Sequence, residues 1–183
     1  MKKILLFFVV FFIVKAIAAQ QIPFTKSSKI YIVRHAEKET GDDPGLTEAG
    51  KKRSGNLMRT LKDKSIKRIY VTNYRRSGMT ADSLRIQIGV DTVHYAVDNT
   101  GEDLLKKIQA NHDSDNAILI IGHSNTIPRL IAALGILNYP QGDIPDNKFD
   151  DLFIIIHEGN EVVRVFSETY GARSGPSASM KNN

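Results

Sequence analysis

An α/β domain on a largely parallel sheet is the fold this sequence predicts, and three observations predict it. Short apolar runs alternate along the chain with stretches of helical spacing. Several runs, "AILII" among them, are apolar at every position, as strands covered on both faces must be. Three runs end abruptly on polar or cationic residues, at the place where an open parallel sheet offers side chains to a ligand.

The 183 residues, 42% of them hydrophobic, suit one domain with a full core. The first nineteen, "MKKILLFFVVFFIVKAIAA", differ in kind: Lys2 and Lys3 precede an apolar run from Ile4 to Val14, and Ala16, Ala18 and Ala19 follow. That order predicts a secretory signal peptide over residues 1–19 and a periplasmic or secreted product. The run is too short for a stable membrane anchor, since a span needs roughly 20 apolar residues. A polar linker over 20–28, a domain over 29–170 and a disordered, Ser-, Gly- and Asn-rich tail over 171–183 complete the expected organisation. The chain has no cysteine, so no disulfide supports the core and no lipid is carried on a thiol. The formal charge of +5 includes Lys2, Lys3 and Lys15; removing those three from 25 basic residues leaves 22 against 20 acidic ones, near +2. Such a balance argues against a nucleic-acid partner and makes any cationic chemistry local.

In chain order the predicted strands are Ile30–Val33, Ile69–Val71, a weaker run at Val90–Val97, Ala117–Ile121, Leu152–Ile156 and Val162–Phe166. Helical spacing covers Thr47–Leu61, Ser77–Ile88, Glu102–Ile108 and Thr126–Leu134. The last two strands, joined by "HEGNE", read as an antiparallel hairpin at a sheet edge. "NYPQGDIPDNKFDD", Asn138 to Asp151, is a loop long enough to overhang a site.

The chemistry sits at the ends of the inner strands. "KIYIV" runs into Arg34 and His35, "IKRIYV" into Thr72, Arg75 and Arg76, and "AILIIG" into His123 and Ser124. Two imidazoles and two or more guanidinium groups converging on one crevice repel one another unless an anion lies between them. A phosphate, whose oxygens suit the arginine fork, fits that requirement. His94, His112 and His157 lie outside these motifs and read as ordinary surface or core residues. His35 and His123 as metal ligands find no cysteine and no HExxH spacing beside them, so neither a metal nor another cofactor is expected. "GHSNT" begins like the elbow of an α/β-hydrolase but has Thr126 where the fifth-position glycine belongs.

"VRHAEK", Val33 to Lys38, resembles the arginine–histidine signature of the histidine phosphatase superfamily, branch 1, the clan of the cofactor-dependent phosphoglycerate mutases. "LTEAGKKRS" resembles that family's "LTxxGxxQA", "TNYRRSGMTA" its "SxxxRAxQTA", and "GHSNT" its second-histidine motif. Thr72, Ser77 and Met79 depart from the pattern, which has serine, alanine and glutamine there. The resemblance implies a three-layer α/β/α, phosphoglycerate mutase-like fold and a small exported phosphomonoester hydrolase, metal-independent, whose substrate is a phosphorylated small molecule or phosphoprotein. It further implies that Arg34 and Arg76 clamp the phosphate, with Arg75 an extra, that His35 is the nucleophile and becomes phosphohistidine, and that His123 stabilises the transferring group. The proton donor is expected after the third strand: Asp98 is favoured, with Glu102, Asp103 and Glu37 as alternatives. Glu102 and Asp103 also suit the first turn of a helix. Two readings stay beside this one, a non-catalytic phosphate-binding module of the same fold and a mutase-type phosphotransferase. The short chain leaves little material for the lid a mutase needs.

Overall fold

A computed structural model describes residues 27–158 and 162–175. The expected signal peptide, most of the linker and the tail beyond residue 175 lie outside the described residues. Ser28, expected at the end of the linker, opens the first strand.

The elements run β1 (Ser28–Arg34), α1 (Glu48–Leu61), β2 (Arg68–Thr72), α2 (Arg75–Ile88), β3 (Thr92–Tyr95), α3 (Glu102–Ala110), β4 (Ile118–Gly122), α4 (Ile127–Ala133), β5 (Asp151–Glu158) and β6 (Val162–Thr169). They form one six-stranded sheet in the order β3-β2-β4-β1-β5-β6. The first four pair in parallel, and β5 and β6 run antiparallel to them, with the expected hairpin at the edge.

Alternation along the strands sorts the core into two layers. Ile30, Ile32, Tyr70, Ile118 and Ile120 face α3 and α4 in one cluster; Tyr31, Val33, Ile69, Val71, Leu119 and Ile121 face α1 and α2 in the other. Strands covered on both faces must be apolar at every position, which is why "ILII" shows no alternation. The fold is thus the expected mixed α/β architecture with helices on both faces of the sheet. No helix among the described residues is long and apolar enough to cross a membrane.

The strand order decides what can meet what. With β1 and β4 adjacent and Arg34 in register with Gly122, the residues that follow, His35 and His123, emerge side by side. β2 lies against the other side of β4, so Thr72 and the start of α2 border His123. β3 is at the far edge. Strands lie about 4.8 Å apart, so roughly 14 Å separates the line of β3 from that of β1.

Candidate active site

His35 follows β1 directly, its backbone N–H held by Gly122 O at 3.0 Å. Its ring Nδ1 lies 2.9 Å from Ala36 O. A carbonyl only accepts, so Nδ1 carries the proton and Nε2 keeps a free lone pair. The next backbone N–H, of Ala36, donates to Thr80 Oγ1 at 2.9 Å, and that hydroxyl donates back to Arg76 O. The loop after β1 and the first turn of α2 are therefore one hydrogen-bonded unit.

The same loop packs on α1 as closely as two backbones allow. Thr47 N–H donates to Glu37 O, and a Cβ on Gly50 would come within 2.1 Å of that carbonyl oxygen. Only glycine fits, which explains the fifth position of "LTEAG". Thr47 caps α1 by accepting from Gly50 N–H at 3.1 Å.

His123 lies beside His35, ring centroids 5.2 Å apart. Its Nε2 is 3.0 Å from Thr72 Oγ1, which is in turn 2.7 Å from Ser77 Oγ. Tyr74 meets the imidazole edge-on at 5.2 Å. His35 is pushed down to about 3, by burial first and by His123, Arg76 and Arg34 after it, against the opposing bond to Ala36 O. His123 is pushed down to about 4, by burial first and by the two arginines after it. Burial, more than the cationic neighbours on which the sequence argument rested, keeps both rings neutral.

Two guanidinium groups flank the rings. Arg34 directs NH1 at the carbonyls of Pro145, Asp146 and Lys148, at 2.9, 2.9 and 3.2 Å, and stacks over the Phe149 ring at 4.3 Å. The loop expected to overhang the site thus grips its first cation. Arg76 stacks over the Tyr74 ring at 4.0 Å, with Asp43 3.8 Å from its NH1. Arg75 is exposed, and its backbone N–H, rather than its guanidinium, takes Asp43 Oδ1. The Nε atoms of both Arg34 and Arg76 are buried without a hydrogen-bond partner among the described residues. Buried donors of this kind call for an acceptor, and two of them beside His35 mark a place for an oxyanion.

Arg34, His35, Arg76 and His123 are therefore brought together, whereas the hydrogen bonds of Asp98 all lie within its own turn. Its carboxylate accepts from the N–H groups of Thr100, Gly101 and Asp103 and from the Thr100 hydroxyl, closing the turn before α3 at the far edge of the sheet. Burial alone would raise its pKa, but those four bonds outweigh it and hold the group below the usual carboxylate range. That geometry gives no support to the role of proton donor. The alternatives are equally engaged: Glu37 takes the Arg53 fork at 2.7 to 3.0 Å, Glu102 pairs with Lys106, and Asp103 accepts from Ala96 N–H. Among the described residues, Asp43 and Asp146 are the carboxylates paired with the two arginines, the latter 3.7 Å from Arg34 NH2 with a fully exposed side chain.

His94 and His112 lie exposed, and His157 is buried on β5 and pushed down to about 4, chiefly by burial. Among the described residues no three of His, Asp and Glu gather as metal ligands. Sequence reasoning missed three contributors: the Thr72–Ser77 hydroxyl pair on His123, the Arg53–Glu37 pair, and the Phe149 ring under Arg34. The first two were signalled, since Thr72 and Ser77 are two of the three departures from one motif and Glu37 and Arg53 lie inside two others. Nothing local marks Phe149.

Residues 30–98 match the family model of the histidine phosphatase superfamily, branch 1. That match takes in "VRHAEK", "LTEAGKKRS" and "TNYRRSGMTA", for which the resemblance is borne out, while "GHSNT" lies beyond it. No curated protein sequence matches the chain. Among solved structures, the protein histidine phosphatase SixA complexed with tungstate superposes with a TM-score of 0.58 at 16% identity, covering 77% of this chain and 96% of that one. The mycobacterial glucosyl-3-phosphoglycerate phosphatase with inorganic phosphate gives 0.58 at 15% identity, covering 79% and 97%. A structure named mycobacterial hydrolase 1 gives 0.57 at 15%, covering 81% and 100%. At these identities the likeness is one of fold.

Proposed function

We propose that the protein is a phosphomonoester hydrolase that works through a phosphohistidine on His35. The observation that carries this reading is the pair of partnerless buried Nε donors on Arg34 and Arg76, two cations whose charges act on an imidazole whose free lone pair is fixed on Nε2. The tungstate and phosphate named with two of the structural neighbours, both phosphatases, support it.

In the first step Nε2 of His35 attacks phosphorus, the N–P bond forms, and the bond to the leaving oxygen breaks with its electron pair. The arginines hold the non-bridging oxygens, and His123 donates to the charge that develops on them. The Thr72 hydroxyl can donate to or accept from Nε2, so the tautomer of His123 follows the direction of that bond. In the second step water attacks phosphorus, the N–P bond breaks, its electron pair returns to His35, and phosphate leaves. Positioning and charge stabilisation suffice for both steps, so the chemistry requires no metal. With Asp98 tied to its turn, substrates whose leaving group needs little protonation are favoured.

Rapid quench with labelled substrate tests the reading. The expected result is an acid-labile, alkali-stable label on the peptide holding Val33–Lys38. Label on a serine peptide, or phosphate binding without turnover of para-nitrophenyl phosphate, would replace it with another mechanism or with the binding-module reading. We propose also that the leader directs export, so that mass spectrometry of native protein finds a chain starting near Ala19 or Gln20; an intact Met1 would refute this.

A further inference from the structure

One group of buried charges has no part in that chemistry. Lys148 is 2% exposed, and its Nζ lies 2.6 Å from Asp150 Oδ1 and 3.1 Å from Asp151 Oδ1, on side chains 2% and 8% exposed. Asp150 Oδ1 also accepts from the Ser174 hydroxyl at 2.7 Å, and the same hydroxyl accepts from Phe149 N–H at 2.7 Å. Tyr170 N–H donates to Asp150 O at 2.9 Å. Desolvating three charges is costly, and an apolar set of similar volume commonly does as well for stability, so stability alone is a poor account of this cluster.

Its position supplies a better one. Register pairs Leu152 with Val33, so Asp151 enters β5 directly across from Arg34. The residues just before it are those that hold the guanidinium: the carbonyls of Pro145, Asp146 and Lys148 take NH1, and Phe149 lies under the plane. These residues belong to no helix or strand, so their carbonyl directions need fixing from outside. The ion cluster fixes them from the protein side at Lys148, Asp150 and Asp151. The segment after β6 fixes them from the other side, through Ser174 at Phe149 and Asp150.

We propose that Lys148 and Ser174 are positioning residues for the Arg34 clamp. They lock the 145–150 loop so that its three carbonyls consume NH1 and turn the remaining guanidinium edge, with its partnerless Nε, toward the oxyanion. The proposal rests on the phosphate reading of the site. It also makes the start of the chain's tail part of the binding apparatus: Arg53 NH1 and NH2 hold Tyr170 O and Ala172 O at 3.1 and 3.0 Å while its fork holds Glu37, two residues beyond the nucleophile.

Calorimetric titration of the full-length protein with inorganic phosphate is the test, with folding followed by near-UV circular dichroism. Ser174→Ala should stay folded and weaken phosphate binding roughly tenfold, on the order of the worth of one hydrogen bond out of the two part-buried ones that its hydroxyl makes, while Ser174→Thr, which keeps the hydroxyl, should restore it. In an Arg34→Ala background Ser174→Ala should change nothing further, because the group it positions is gone. Unchanged phosphate affinity in folded Ser174→Ala would overturn the proposal while leaving the phosphate reading intact, and so would an equal loss in both backgrounds. A wild-type protein that binds no phosphate overturns both.

Discussion

The two buried imidazoles, 5.2 Å apart, share an environment and differ in how each ring is held. His35 donates Nδ1–H to a carbonyl one residue away, a partner that can only accept and cannot turn. His123 meets a threonine hydroxyl that can donate or accept and has a second hydroxyl behind it. A fixed tautomer suits a nucleophile, whose lone pair must be ready on one nitrogen. A hydroxyl partner suits a ring that must offer a proton to changing charge. On the reading proposed above, equal burial serves two roles through different hydrogen bonds.

The largest effects that would break this comparison come from removing each ring. His35→Ala should lower turnover of para-nitrophenyl phosphate by on the order of 10⁴-fold or more, since no bond-forming atom remains. His123→Ala should cost about 10²- to 10³-fold, the scale of one lost oxyanion donor. Equal losses in steady-state assays would mean that the rings are not divided into nucleophile and stabiliser.

A second test uses protons. Both rings have folded pKa values of about 3 and 4, below the ordinary value near 6.5. Between those limits the unfolded chain binds more protons than the folded one, so stability rises with pH there. The folded state should keep its full stability above about pH 6.5. It should lose stability steadily as the pH falls toward 4, with His157, also near 4, adding to the slope. Urea midpoints across this range should show it, and His35→Ala should flatten the slope by its share. A slope unchanged by that substitution would mean that His35 is not held neutral by burial.

How much of this was legible in the sequence follows from range. "VRHAEK" and "GHSNT" each place a histidine one step beyond a strand, and parallel pairing of their strands does the rest, so the imidazole pair could be read from motifs. The strand order could not. Asp98 follows a strand as the clamps do, but β3 lies at the edge, and nothing local to "HYAVDNTGED" tells an edge strand from a central one. Phe149 and the 145–148 carbonyls reach Arg34 through the antiparallel β1–β5 register, a contact more than 100 residues distant in sequence. Backbone acceptors also leave no trace in residue type.

A smaller effect should come from Thr72→Val, which keeps the shape and removes the hydroxyl on His123. A loss of roughly tenfold in kcat is expected, the order of one buried hydrogen bond, with KM for para-nitrophenyl phosphate little changed because both clamps stay in place. A loss confined to KM would show that Thr72 serves binding and leaves His123 unaffected.

The smallest expected change in activity is at Asp98. Its carboxylate closes a turn, so Asp98→Asn should leave turnover within about twofold for substrates with good and poor leaving groups alike, where a proton donor would show a far larger loss on the poor ones. Stability should fall instead, by less than the roughly 1 kcal/mol of a cap lost to alanine, because the asparagine oxygen keeps the three bonds made to Oδ1 and only the bond from Asp103 N–H to Oδ2 is lost. The sign of its pH dependence follows from the lowered pKa. A depressed carboxyl contributes stability that is full above its unfolded value, near 3.9, and is lost as the pH falls through the folded one. The gap between wild type and Asp98→Asn in urea denaturation should therefore be widest at neutral pH and close in acid, once the wild-type carboxyl is protonated. A gap that persists at low pH would mean that the turn does not depend on the carboxylate charge, and a selective loss on alkyl phosphates would return Asp98 to the chemistry.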